Sequence, residues 1–228
     1  MNLLSILIQI SNTAISSPEA EEIRLSLWEL AKQGGWIMLI LAIFSVIAVY
    51  IFSERFITIN KASKRDDNFM NLIRNYMIEG KLDEAKDLCK QTNTSISRMI
   101  EKGISRVGKP LNDIQTAIEN VGNLEVSKLE KGVALIGMIS GAAPMLGFLG
   151  TVTGMIRAFY DMSMAGNNID IELLSTGIYE AMVTTVGGLI VGILAYIFYN
   201  IIVSKIDNVV NLLESKSIEF MDVLNEPA

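Results

Sequence analysis

Apolar residues in this chain are gathered into three long runs. Trp36 to Phe52 is uncharged, Val133 to Ile156 is likewise uncharged, and a third run extends from about Leu174 to Val203 with a single ionisable acid, Glu180. At ~1.5 Å per helical residue, the first run can just cross a ~30 Å hydrocarbon core and the other two are long enough to cross it fully. Between the first and second runs lies a polar insert, residues 53–132, which holds 14 of the 19 lysines and arginines. By the positive-inside rule this insert is cytoplasmic, so the amino terminus lies outside and the carboxyl terminus inside. Tyr160 to Leu173 contains no lysine or arginine, as an outside loop should.

The sequence therefore predicts an all-α integral membrane protein with three transmembrane helices and a large helical cytoplasmic insert. Its expected segments are an interfacial stretch 1–34, a first span 35–53, the insert 54–132, a second span 133–160, a loop 161–173, a third span 174–203 and a carboxyl-terminal cytoplasmic helix 204–228. Residues 1–16 are expected as a retained segment at the membrane surface, because no basic residue precedes the short run Leu3–Ile10, with cleavage as the rival reading. Ser17-Pro18-Glu19 then opens an amphipathic helix with Ile23, Leu27 and Leu30 on one side. Within the insert, helices are predicted over about 67–79, 83–91 and 95–106, with Thr94 as a cap and a break at Gly108-Lys109-Pro110. From Asn112 the side carrying Ile114, Ile118, Val121, Leu124 and Leu129 leads without an obvious stop into the second run. One long helix from the insert through the membrane is expected there.

Composition narrows the chemistry. The chain is 50% hydrophobic, with mean hydropathy +0.40, which suits a membrane class rather than an ordinary soluble domain. Its one cysteine, Cys89, excludes an intrachain disulfide and is expected as a reduced thiol. Histidine is absent, so the usual metal ligand and proton shuttle are missing. No phosphate loop, metal-spaced cluster, nucleophile–base pair or Gly-x-Ser-x-Gly elbow occurs. No enzyme, metal, cofactor or nucleic-acid role is expected.

The candidate chemistry lies in the membrane. An ionisable group in a span is costly and by default marks function. Glu180 sits among Thr184, Thr185 and several glycines. Thr151 and Thr185 each lie nine residues from the outer end of their span, ~13.5 Å in a helix, so both fall near mid-membrane. Glu180 is five residues outward from Thr185, ~7.5 Å. Three roles stay open for it: a proton-carrying group served by hydroxyls and water, a carboxyl that only bonds a neighbouring helix, or a substrate or ion site. The threonines are also compatible with helix packing. Small-xxx-small pairs, among them Gly150/Gly154 and Gly188/Gly192, suit close helix approach in lipid. Arg157 lies at a depth close to that of Glu180; snorkelling or a charge pair with Asp161 is expected, with a pair to Glu180 as the alternative.

Several blocks carry a resemblance. Lys128-Leu129-Glu130-Lys131-Gly132-Val133-Ala134-Leu135, Ala143-Pro144-Met145-Leu146-Gly147-Phe148-Leu149-Gly150-Thr151-Val152-Thr153-Gly154-Met155 and Gly177-Ile178-Tyr179-Glu180-Ala181-Met182-Val183-Thr184-Thr185 resemble the MotA/TolQ/ExbB proton channel family. Gly34-Gly35-Trp36 and Glu54-Arg55, flanking the first run, fit as well. The likeness covers about residues 25–205 and is nearest the ExbB and TolQ branch. Arg157 and Thr153 depart from the usual pattern. The resemblance implies a homopentameric ring in the bacterial inner membrane, enclosing the single spans of an ExbD- or TolR-like partner. Proton flow would drive that motor and act through a TonB- or TolA-like protein. It places Thr151, Thr185 and Glu180 on the polar pathway, with Thr184 beside them, and implies that the partner supplies a central aspartate. An ExbB-like role in TonB-dependent transport is expected. A TolQ-like role, a non-conducting scaffold and sodium coupling stand as alternatives.

Overall fold

A computed structural model describes residues 35–63, 67–164 and 171–225. The surface segment 1–16, the amphipathic helix expected after Ser17, and loop residues 165–170 lie outside the described residues. Seven helices are present among the described residues, with no strand: α1 (Gly35–Ala62), α2 (Asp67–Ile78), α3 (Leu82–Thr92), α4 (Ser95–Ile104), α5 (Leu111–Glu130), α6 (Val133–Met164) and α7 (Ile171–Asn225). Three stretches are long and apolar enough to cross a membrane, in α1, in α5–α6 and in α7. The chain is an all-α, multi-pass membrane protein.

The ends of the apolar runs are not the ends of helices. α1 continues through Glu54 and Arg55 to Ala62, and α7 runs for 55 residues without a break at 203/204. α7 contains no proline, and its glycines are spent on packing rather than on stopping it. At ~1.5 Å per residue it is ~80 Å long, well beyond a hydrocarbon core. The single helix expected from Asn112 into the second span is in fact two. α5 ends at Glu130, Lys131 leaves helical geometry at ψ 122°, and Gly132 takes φ +82°. A glycine in the left-handed region is a common helix stop, and hydrophobic spacing carries no sign of it.

α6 runs antiparallel to α7, and α1 runs parallel to it. Phe52 of α1 stacks on Phe198 of α7 at 4.2 Å between ring centroids. Further along the same pair, Lys205 donates to Asn60 Oδ1 at 2.8 Å and lies 4.6 Å from the centre of the Phe56 ring. In the insert, local signals act as expected. Gly80 turns at φ +71°, and Thr94 and Ser97 form a reciprocal capping box at the start of α4. The far end of α7 is the spine of the insert. Phe220 is fully buried and occupies the space left by the missing side chain of Gly103, beside Ile118.

One polar network ties the insert to α1. The apolar side of α5 was expected to carry Leu124; instead Leu124 is 61% exposed and Glu125 is buried at 4%. The steps Val121, Glu125 and Leu129 are each four residues, which keeps Glu125 on the buried stripe. Glu125 accepts from Arg98, from Lys128 Nζ at 2.6 Å and from Ser95 Oγ at 3.0 Å. Arg55 of α1 donates to the carbonyl of Lys128 at 2.9 Å, one of the carbonyls that the end of α5 leaves unpaired. Burial acts to raise the pKa of Glu125. The hydrogen bonds from Arg98, Lys128 and Ser95 and the charge of Arg98 outweigh it, taking the carboxyl from 4.5 to about 2.

Because this pKa is lower in the folded state, the unfolded chain binds more protons at low pH. The contribution is complete above pH 4.5 and is lost as pH falls from there through about 2. Glu125→Gln removes the anion that Arg98 and Lys128 share, while Arg98 keeps its bonds to Asn93. The expected loss is about 2 kcal/mol at pH 7, kept modest because both cations face solvent. The difference between variant and parent should narrow from pH 5 to pH 3. Thermal unfolding of the purified chain in detergent, followed by circular dichroism at both pH values, measures it.

Candidate functional site: the glycine seam and its two flanks

The site is built on the contact between α6 and α7. Side chains added to the glycines here would strike backbone. A Cβ on Gly188 would lie 2.6 Å from the Ala143 carbonyl oxygen and 2.8 Å from Gly147 Cα, and one on Gly147 would lie 2.9 Å from the Thr184 carbonyl oxygen. The seam continues in antiparallel register. Gly150 faces the Thr184 side chain, Gly154 faces Ala181, Gly177 faces Ala158 and Gly192 faces Pro144. Gly150, Gly154, Gly188 and Gly192, assigned to packing from spacing alone, all lie in it. Gly141 has nothing within 4 Å and belongs to the outer surface. Close backbone approach of this kind is how helices associate where lipid offers no hydrophobic drive. The carbonyl of Ser140, which Pro144 deprives of its helical donor, faces the same opening at Gly192.

The hydroxyls attach to this seam. Thr185 Oγ1 donates to the Gly147 carbonyl across the seam at 3.0 Å. Thr151 Oγ1 donates to its own helix at Phe148 O, 2.7 Å. The pairing of Gly150 with Thr184 puts Thr151 and Thr185 at one level on facing helices, both half-buried at the edge of the seam. Beside them Phe148, Met155, Met182 and Leu189 are exposed. Thr184 differs. It is 2% exposed, wedged against Gly150, and donates to Ala181 O at 2.7 Å. The structure places it with the packing rather than with the polar pathway, since the missing Gly150 side chain leaves a socket that its own fills.

Glu180 lies on another flank. Its Oε1 is 3.0 Å from where a Cβ on Gly35 would stand, and two turns on Gly187 meets Met38 of the same helix. This side of α7 faces α1. Five residues separate Glu180 from Thr185, or ~140° around the helix. The carboxylate therefore does not join the threonine level. It meets the amino end of α1, the positive end of that helix dipole, and with Ser175, Thr176 and Tyr179 lines an open recess of about 450 Å³. Gly35, at φ +62°, is the residue that lets it approach. From the sequence Gly35 stood only in the Gly34-Gly35-Trp36 block before the first run, with no link to Glu180. Arg157 is exposed and forms no ion pair with Asp161 among the described residues. A cation placed four residues before an acid is the weaker order on a helix. Among the described residues no group of His, Cys, Asp and Glu could hold a metal ion.

Comparison with known proteins adds the following. The model of the MotA/TolQ/ExbB proton channel family matches residues 91–215. A putative biopolymer transport protein ExbB homolog of Methanothermobacter thermautotrophicus is 27% identical over 82% of this chain and 66% of its own length. An ExbB-like 1 protein of Synechocystis, also a putative biopolymer transport protein, is 27% identical over 75% of this chain and 68% of its own. The Tol-Pal system protein TolQ of Haemophilus influenzae is 29% identical over 58% of this chain and 52% of its own. The chain thus spans about two thirds of the first two relatives and about half of the third.

Seam and surface glycines should respond differently to a methyl group. Gly188→Ala meets the α6 backbone at Ala143 and Gly147 and is expected to cost about 1–3 kcal/mol, the usual range for overpacking. Gly141→Ala is expected within about 0.5 kcal/mol of the parent. Melting of the two purified variants in one detergent compares them directly, and equal stability would remove the seam as the main contact.

Proposed function

The chain belongs to the MotA/TolQ/ExbB proton channel family, and on that premise we propose that it is an ExbB-like subunit of a proton-driven motor in the bacterial inner membrane. In this proposal the amino terminus is outside, the carboxyl terminus is inside, and the polar insert is cytoplasmic. Copies form a ring, five by family expectation, around the span of an ExbD- or TolR-like protein. The proton gradient is converted into motion and passed to a TonB-like protein, energising transport across the outer membrane.

The observation that carries this proposal is the placement of Thr151 and Thr185 at one level beside the seam, on an otherwise apolar exposed face. Two hydroxyls per copy, repeated around a ring, would form a polar belt able to hold water next to a partner's acid. Glu180 stands one to two turns outward of that belt and against α1. Its proposed part is to assist at the outer entrance, coupling the first span to the pathway, while the partner supplies the central carboxylate. A TolQ-like role is the second reading, favoured by the TolQ match.

The deciding experiment is proton-motive-force-dependent activity of Glu180→Gln and Thr185→Val, each coexpressed with the ExbD-like partner and checked for assembly by copurification. An intact complex with activity reduced about tenfold or more is expected, the scale on which proton-transfer groups act. Full activity of both variants would remove Glu180 and the Thr185 hydroxyl from the pathway and favour a scaffold that clamps the partner's span.

A further inference from the structure

One side of α1 stays exposed from the membrane into the polar insert. Ile43, Val46, Tyr50, Glu54, Ile57 and Lys61 follow at steps of three and four residues, all exposed, so they share one face of the helix. The first three form an apolar track, and Glu54 below them is held by Arg55 in an ion pair at 3.0 Å. At the foot of this face, α1, α4 and α5 surround an open recess of about 280 Å³. Thr58 and Lys61 line it from α1, Thr94 and Arg98 from the start of α4, and Glu125 and Lys128 from α5. Arg98 and Lys128 share the one Glu125 carboxylate, which leaves a positive charge in excess. Lys61 adds a second, and it forms no hydrogen bond or ion pair among the described residues. The amino end of α4, the positive end of its dipole, borders the same recess.

We propose that this recess binds the headgroup of an anionic phospholipid from the leaflet on the insert side, with its acyl chains along Ile43, Val46 and Tyr50. Depth favours a lipid over a soluble phosphate. Thr58 and Lys61 stand six and nine residues beyond Phe52, the last residue of the uncharged run, or ~9 and ~13.5 Å along α1. Side chains on a helix lean toward its amino end, here toward the membrane. Both residues therefore reach back to the headgroup layer, which extends about 5–8 Å beyond the hydrocarbon core. The apolar track above them accounts for the chains. The excess positive charge selects an anionic headgroup over a zwitterionic one, as basic pockets beside spans do elsewhere. Bound there, the headgroup touches three helices and joins the first span to the insert where Arg55 and Glu125 already tie them. The site requires only that α1 crosses the membrane, whatever the motor drives.

The test uses the full chain, extracted in mild detergent, freed of lipid and titrated with dioleoylphosphatidylglycerol or dioleoylphosphatidylcholine. Native mass spectrometry counts the lipid bound. Phosphatidylglycerol is expected to bind in preference, and Lys61→Gln to weaken it about fivefold, the worth of one basic residue at an anionic surface. Lys61→Arg should keep it. Lys109→Gln, which removes an exposed lysine at the opposite end of α4, should leave it unchanged. Equal binding of the two lipids overturns the site and leaves an unselective lipid coat. Parent-like binding by Lys61→Gln, or equal loss in Lys61→Gln and Lys109→Gln, also overturns it and leaves diffuse attraction to the insert. Displacement of phosphatidylglycerol by glycerol 3-phosphate at equal concentration would assign the recess to a soluble phosphate ester and overturn the lipid. Failure to displace it supports the apolar track as part of the site.

Discussion

Everything in the membrane part of this molecule depends on two helices meeting backbone to backbone. In water the α6–α7 pair would be held by buried apolar area, but lipid is as apolar as leucine and offers no such drive. What remains is close van der Waals contact, and that requires side chains to be absent. Gly147, Gly150, Gly154, Gly177, Gly188 and Gly192 supply the absence in one antiparallel register. The same closeness fixes the threonines. Thr185 can reach the Gly147 carbonyl only because no side chain stands between them.

The seam also explains why polar groups occupy separate flanks. A helix in contact with two neighbours has three distinct sides, and α7 uses one for α6, one for α1 and one for its surroundings. Thr184 falls in the seam, Thr185 at its edge, and Glu180 on the α1 side. The carboxylate is thereby joined to the start of the first span and not to the hydroxyls. A proton or gating role for Glu180 then runs through α1, whose other end is bolted to the insert by Arg55 and to α7 through Asn60.

The insert follows a different rule. Its helices are held by an ordinary core around Phe220, Met99 and Ile118 and by one buried carboxylate. Glu125 is tolerated there because three donors converge on it, a case where burial and pairing oppose each other and pairing prevails. Since Arg55 reaches the last turn of α5, the network sits next to the Gly132 break, so the insert, the first span and the second span meet within a few residues.

Length, hydropathy and small-residue spacing were enough to find three crossings, the helical insert and the glycines of the seam, while the family was legible only as a resemblance of residue blocks. These properties are local: a run either spans or does not, and a glycine at i, i+4 marks its own helix face. Equal depth of Thr151 and Thr185 could be counted from the loop for the same reason. The side of α7 on which Glu180 lies could not be counted, because it depends on where α1 docks. Leu124 and Glu125 were exchanged for a similar cause. Adjacent residues differ by ~100° on a helix, and only the position of α4 and its Arg98 decides which of them is inside. Tertiary structure alone also set the stop at Gly132, where a left-handed glycine ends a helix whose hydrophobic stripe continues in phase on either side.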